Sequence, residues 1–346
     1  MRSMSLLLLL PVLSACPPAP PGPDDDDSVD DDDVAEEVDC TAAAWARGWE
    51  RIGDAPVFEP TGWEGTFIRP TSVVPLPEGG FRLFYVSATL VPCGDGDTCL
   101  SRVVGIADSE DGLAWDRVGD GPVMDRRADE VDVGHGTASR GADGSWTWLY
   151  GRAEGVRRVG IARAVSTDGL VWSVPDDDLV LPTGEPGAWD EMFTGAPAAL
   201  DEDRMLYTGA GPGGAALGLA VREGESWSRG DVSPLLSPGP AGSYDEDSVT
   251  NPSVVEVGGC FVLAYKASSN ATPPDDESIG VAVSRDGAAW DRGEDPALEI
   301  TRDYEADGVV DPALFVHDGH VWMLYGALDA DFVNTVALAR IPIPRP

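Results

Sequence analysis

The chain has 346 residues, with 61 Asp and Glu against 23 Lys and Arg and a formal net charge of −38. So acidic a chain repels nucleic acid and anionic membrane surfaces, and both are excluded as partners. Roughly 300 residues remain beyond the N-terminal segments, enough for one large core.

Residues 1–16, MRSMSLLLLLPVLSAC, place Arg2 before a leucine-rich run and end on Leu13-Ser14-Ala15-Cys16. The apolar run is too short to span a bilayer, so residues 1–15 read as a signal peptide. Its end resembles the lipobox of bacterial lipoproteins, in which the cysteine is lipidated and becomes the mature N-terminus. That resemblance implies export and a lipid anchor at Cys16. Pro17 stands where an Asp would signal inner-membrane retention, which points to the outer membrane or cell surface. Residues 16–39 continue as PPAPPGP and DDDDSVDDDDVAEEVD, which hold 11 of the 61 acids. Proline and like charge leave too little apolar surface to repay ordering, so this segment is an extended tether.

Four cysteines remain besides Cys16, an even number in an exported chain. Cys93 and Cys99 bracket GDGDT and are expected to form a disulfide across that short loop. Pairing of Cys40 with Cys260 requires Cys40 to lie beside the repeat that contains Cys260.

A tryptophan motif occurs five times: WERIGDAPVF from Trp49, WDRVGDGPVM from Trp115, WSVPDDDLVL from Trp172, WSRGDVSPLL from Trp227 and WDRGEDPALE from Trp290. Successive tryptophans lie 66, 57, 55 and 63 residues apart (115−49, 172−115, 227−172, 290−227). Three copies follow the same turn: Ser109-Glu110-Asp111-Gly112, Ser166-Thr167-Asp168-Gly169 and Ser284-Arg285-Asp286-Gly287. Asp-Gly between apolar runs favours a tight turn, and the tryptophan then covers its base.

Two more strands repeat ahead of the tryptophan. One ends near an aromatic, at Tyr85, Tyr150, Tyr207, Tyr265 and Tyr325; the next reads VVGIADS, RVGIARAVS, ALGLAV, SIGVAVS and TVALAR. Upstream lies an inner strand led by Pro70, Pro197, Pro252 or Pro312, with Thr137 in the proline's place in the second unit. Four short strands per unit at this period make a propeller blade. The predicted fold is all-β: a five-bladed β-propeller over residues 40–346, closed by strands from both termini. Its blades are 59–124, 125–182, 183–237, 238–301, and 302–346 completed by 40–58, an arrangement that hides a sheet edge.

Five blades with S-x-D-G-x-x-W turns and proline-led inner strands resemble glycoside hydrolase families 43 and 32 and the related family 130 phosphorylases, over nearly all of residues 45–346. The sialidase Asp-box is a lookalike, but here Asp and Gly are adjacent and the sialidase arginine triad is not found. The resemblance implies a ligand over the central funnel, at the start of the inner strands. For the hydrolases it implies a blade-1 Asp before the proline and a blade-3 Glu flanking the glycosidic bond. Family 43 adds a blade-2 Asp that tunes the acid. Arg69 stands at the first position, Gly195 at the second, and blade 2 offers Asp132 several residues early. The nearest substitutes are Asp311, the one Asp-Pro at an inner strand, and Glu191.

Residues that differ among blades carry the rest of the candidate site. Before the proline position stand Arg69, Gly136, Ala196, Asn251 and Asp311, and one residue earlier the second blade has His135. Arg152 and Lys266, the single lysine, follow the repeated tyrosines and return toward the funnel. With Arg69 and His135 they form either a clamp for a carboxylate or phosphate on a sugar or salt bridges to nearby acids. An aromatic-acid pair (Trp63-Glu64, Trp189-Asp190, Tyr244-Asp245, Tyr304-Glu305) recurs and reads as a structural rim.

These features indicate a surface-anchored, glycoside-hydrolase-like monomer that acts on or binds a glycan, with Asp311, Glu191 and Asp132 as catalytic candidates. Ligand-binding candidates are Arg69, His135, Arg152, Asn251 and Lys266. The alternatives are a carbohydrate-binding lipoprotein without the carboxylate pair and a protein-interaction propeller with a plugged funnel. No cofactor or metal-ligand set is expected, while Ca²⁺ in the funnel, as in some relatives, is left open.

Overall fold

The computed structural model describes residues 37–92, 98–124, 132–154, 157–175, 179–224, 226–269 and 276–346. Cys16 lies outside these residues, and so does the expected Cys93–Cys99 bridge. Within them the chain forms twenty strands and one short α-helix, α1 (Ala42–Trp45).

Strand β1 (Glu50–Arg51) comes first in the chain. A first antiparallel unit follows, with β2 (Ile68–Pro75), β3 (Phe81–Pro92), β4 (Thr98–Ser109) and β5 (Asp116–Arg117) in sequence order. The second unit has β6 (Asp132–Arg140), β7 (Trp146–Glu154), β8 (Arg157–Ser166) and β9 (Leu181–Pro182). The third comprises β10 (Phe193–Ala199), β11 (Arg204–Gly211), β12 (Gly214–Glu223) and β13 (Ser226–Arg229). The fourth comprises β14 (Ser248–Val257), β15 (Cys260–Ser269), β16 (Asp276–Ser284) and β17 (Asp291–Arg292). A single parallel bridge, Ala215 to Ser248, joins the third and fourth units into one sheet. The last unit has β18 (Gly308–His317), β19 (His320–Leu328) and β20 (Asn334–Pro342), and its fourth strand is β1. The leading strands pack against one another in the pairs β2–β6, β6–β10, β10–β14, β14–β18 and β18–β2.

One buried polar cluster repeats across the units. Glu64, Asp190, Asp245 and Glu305, the acids of the aromatic-acid pairs, are wholly buried. Each accepts a hydrogen bond from the tyrosine of the second strand: Tyr85 at 2.5 Å, Tyr207 at 3.0 Å, Tyr265 at 3.0 Å and Tyr325 at 2.6 Å. Each also pairs with the arginine two residues after the motif tryptophan: Arg117, Arg229, Arg292 and Arg51, at 2.7–2.9 Å. The same guanidinium donates to a carbonyl in the last strand of the preceding unit (Pro182) or in the connection after it (Glu59, Ser237 and Glu299). Arg51, from the N-terminal segment, thus serves Glu305 of the last unit. In the second unit Val174 replaces the arginine. Burial and the neighbouring carboxylate push the Tyr85 and Tyr325 hydroxyls up, so they act as neutral donors.

The tyrosine also explains the glycine in the third strand. A Cβ on Gly105, Gly218 or Gly280 would stand 2.3–2.5 Å from the ring of Tyr85, Tyr207 or Tyr265. The S-x-D-G turns are held by side chains. Ser109, Ser166 and Ser284 accept from the glycine N–H, while Asp111, Asp168 and Asp286 accept from the next two amides. Those bonds hold the three aspartates below the usual carboxylate range.

Cys40 is bonded to Cys260 at the start of β15, with Cα atoms 5.6 Å apart. Nearby, Trp45 of α1 is fully buried in the core of the fourth and last units.

Arg51→Ala should cost about 3–5 kcal/mol, since it strands Glu305 as a buried, unpaired carboxylate. Arg47→Ala, which removes only an exposed pair with Asp295, should leave the midpoint where it is. Replacing Cys40 and Cys260 together by Ser should cost about 2–5 kcal/mol. Urea unfolding at pH 7 of the three variants checks this ranking, and equal effects of Arg51 and Arg47 would refute it.

Candidate functional site

Every leading strand carries a register shift at the same level: after Pro70, Val133, Gly195, Thr250 and Val310. An extra residue inserted here bends the strand and re-aims its side chains. Ala196, Asn251 and Asp311, each directly before a proline, take φ values of 45°, 49° and 51°. Such left-handed backbone is disfavoured for residues with a Cβ, less so for Asn and Asp.

The register corrects the sequence alignment of the first two units: Ser72 pairs with Phe84, just before Tyr85, so Thr71 takes the proline position and Pro70, not Arg69, the pre-proline one. Thr137 pairs with Leu149, just before Tyr150, as Ala313 pairs with Leu324, just before Tyr325. Gly136 therefore occupies the proline position and His135, not Gly136, the pre-proline position of Asn251 and Asp311. A Cβ on Gly136 would meet the Leu149 carbonyl at 2.3 Å, which is why a glycine stands there. The pairs Pro70-Thr71, His135-Gly136, Ala196-Pro197, Asn251-Pro252 and Asp311-Pro312 surround one narrow space of about 10 Å³, room for a single water.

Asp311 is the hub. Its carboxylate is 1% exposed and accepts from Arg69 Nη1 at 2.9 Å on Oδ2 and from Asn251 Nδ2 on Oδ1. His135 Nε2 lies 3.3 Å from Oδ2. Burial alone would raise this carboxyl, but the charges of His135, Arg69 and Lys266 outweigh it and hold it well below the usual range. Arg69 reaches on from Asp311 to Asn334, donating from Nε to Oδ1 at 2.8 Å, and lies over the Phe67 ring. Lys266, opposite Thr250, pairs with Glu277. The backbone N–H of Asn251 donates to Thr208 Oγ1 at 2.9 Å.

The structure thus brings Arg69, His135, Asn251, Lys266 and Asp311 together. Arg152 is buried on β7 opposite Val133. Asp132 opens β6 opposite Ala153, at the end of the strand where His135 lies. Glu191 accepts from the backbone N–H of Gly187 within its own turn, and Glu246 does the same from Gly242 one unit later. That recurrence makes Glu191 a turn brace. Among the described residues, no three His, Cys, Asp or Glu side chains cluster to hold a metal.

Sequence reasoning missed Asn334, Glu277 and Phe332. Asn334 stands one residue ahead of the repeat TVALAR, and its Nδ2 donates to the carbonyl of Phe332. Phe332 is 69% exposed at a φ of 60° in the β19–β20 hairpin. Its aromatic side chain, isolated between Asp331 and Val333, was the available signal.

Asp311→Asn should cost about 3–5 kcal/mol at pH 7, because Arg69 and His135 lose their shared counter-charge. The folded carboxyl titrates below the ordinary aspartate value of about 3.9. Its contribution is therefore full above that value and vanishes as pH falls through the folded one. Urea titrations from neutral pH down to pH 3 should show wild type losing more stability than the variant. Parallel curves would refute the role of Asp311.

No protein-family model matches the chain. Over 102 residues, 27% of the chain, it is 35% identical to the β-1,2-mannobiose phosphorylase of Thermoanaerobacter sp. (strain X514), a stretch spanning 34% of that protein. The structure is similar to the β-1,2-mannobiose phosphorylase from Listeria innocua in complex with β-1,2-mannobiose (TM-score 0.65, 14% identity, 86% of this chain and 97% of that one). It is also similar to a glycosyl hydrolase from Bacteroides ovatus (0.63, 15%, 86% and 97%) and to a thermostable family-43 glycoside hydrolase (0.58, 16%, 82% and 92%). At such identities the likeness is one of fold: the chain has the β-propeller architecture of these glycoside hydrolases and phosphorylases.

Proposed function

We propose that the chain is a glycan-recognising propeller that holds an acidic or phosphate-bearing sugar at its axial mouth, against Arg69, His135 and Lys266. The observation that carries this reading is the cluster around Asp311: cations gathered at the start of the leading strands in a chain of net charge −38. Asp311 is the fixed counter-ion that positions those donors. A carboxylate held ionised cannot serve as the general acid of a hydrolase. With Glu191 engaged in its turn, the carboxylate pair of hydrolysis is not assembled from Asp311 and Glu191.

We read the architecture as five blades closed by strands from both termini. Support comes from the β1–β20 pairing, the service of Arg51 to Glu305 and the cyclic order in which the leading strands pack. Lipid anchoring through Cys16 belongs to the same proposal and rests on the sequence of residues 1–16.

A second reading, phosphorolysis, is favoured by the likeness to a mannobiose phosphorylase. Phosphate held by the cations would attack the anomeric carbon while one carboxylic acid protonates the leaving oxygen. Asp132, at the same end of β6 as His135, is the candidate acid.

A glycan array and a turnover screen with and without phosphate test both readings. Arg69→Ala should weaken binding of acidic glycans or phosphate about tenfold or more and affect neutral sugars far less. Equal affinity with lowered stability would sink the anion site. Release of a sugar 1-phosphate from β-1,2-mannobiose, abolished by Asp132→Asn, would establish phosphorolysis, whereas phosphate-independent turnover would establish hydrolysis. Cys16→Ser should move the protein from the membrane to the soluble exported fraction. Unchanged fractionation would show that Cys16 is not the anchor.

A further inference from the structure

Three S-x-D-G turns dock on a neighbouring unit, and their buried glycines mark the contact. A Cβ on Gly112, Gly169 or Gly287 would lie 2.9, 3.0 or 2.6 Å from Phe315, Arg82 or Leu200. Two turns are also held by an arginine of the neighbour, Arg82 donating to the Asp168 carbonyl and Arg204 to the Asp286 carbonyl. The third unit departs from this pattern. Between Arg222 and Trp227 it has four residues, where the three S-x-D-G copies have five between Ser and Trp. The shorter segment forms a tight hairpin, with Arg222 paired to Trp227 and Glu223 to Ser226. Gly224 at its tip is exposed, and a Cβ there would meet nothing within 4 Å.

Between the second and third units a groove of about 590 Å³ is left open, within the roughly 300–1,000 Å³ of small-ligand sites. Its walls include Arg140, Thr147 and Arg163 from the second unit and Met205, Arg222 and Trp227 from the third. Three arginines here are exceptional in so acidic a chain. Arg140 is exposed over the Trp146 ring; among the described residues it makes no salt bridge, and the exposed Asp143 is the carboxylate near enough to feel its charge. Arg222 lies over the half-buried Trp227 and, among the described residues, pairs with the exposed Asp203. Two acids also line the groove: Asp201 is committed to Arg204, and Glu202 is exposed.

We propose that this groove is a second glycan site, specific for a uronate-bearing oligosaccharide. The sugar carboxylate pairs with Arg140, whose planar fork matches it, and a pyranose ring lies on the apolar face of Trp227. This rests on reading the chain as glycan-recognising, and it adds a site on the side of the propeller, away from the Asp311 cluster.

Calorimetric titration of the full chain with trigalacturonate, with cellotriose as the neutral control, tests it. Arg140→Ala and Trp227→Ala should each weaken trigalacturonate binding at least tenfold, while Arg69→Ala leaves one binding event intact. Replacing Arg222–Ser226 by the six residues Ser284–Ala289 should restore a docked turn, fill the groove and abolish that event without loss of thermal stability. Binding lost only in Arg69→Ala, or untouched by the groove variants, would overturn the second site. Failure of the wild type to bind trigalacturonate, while other glycans bind, would overturn the groove alone. Failure to bind any glycan would overturn the functional reading as well.

Discussion

A fully buried carboxylate with an arginine and a tyrosine is the interaction on which the repeated architecture rests. Glu64, Asp190, Asp245 and Glu305 are removed from water, and each would be prohibitively costly without its partners. The partners come from distant parts of the chain. The tyrosine belongs to the second strand and the arginine to the fourth, and the acid sits in the connection before the first. One cluster therefore ties a whole unit to the segment that leads into it. At the last unit the arginine is Arg51, so the N-terminal segment completes that unit's cluster. A disulfide from the same segment, Cys40 to Cys260, reinforces the attachment one unit away.

A repeated scaffold leaves function to its exceptions. At the pre-proline level all five units share the bulge and the constriction, yet the side chains there are Pro70, His135, Ala196, Asn251 and Asp311. Only three of these can exchange hydrogen bonds, and they do so with one another and with Arg69. The result is a polar knot in place of an open shaft. Its single carboxylate is bound on both oxygens, which suits it to orient donors and not to shuttle protons. In the proposed reading the binding chemistry lies on the side of this knot where Lys266 pairs with Glu277 and Arg69 donates to Asn334.

The Trp motif shows the same logic on the outer side. Where Ser, Asp and Gly are all present the turn folds down and its glycine docks. In the third unit, one residue fewer and Arg222 in place of Ser remove both the hydroxyl acceptor and the docking glycine. These differences in one connection leave a groove where the three S-x-D-G turns make a packed contact.

The local pattern of the chain determined its repeats, the strand that each tyrosine belongs to, the Asp-Gly turns and the completion of the last unit by the segment around Trp49. All of these follow from short-range chemistry, since alternation, turn residues and spacing are written along the chain. The rim reading of the aromatic-acid pairs belongs here too, because a feature repeated in four of the units is architecture. Tertiary structure alone decided which cations meet which acids. Arg69 near the start of β2 and Lys266 near the end of β15 both reach Asp311 electrostatically, yet Lys266 pairs with Glu277 and Arg69 with Asp311 and Asn334. It also moved His135 into register with Asn251 and Asp311, because a bulge shifts pairing by one residue without leaving a mark in composition. Glu191 shows the converse. Its place before an inner strand suggested an acid catalyst, but four residues back the N–H of Gly187 points at it, and that geometry exists only once the turn has folded.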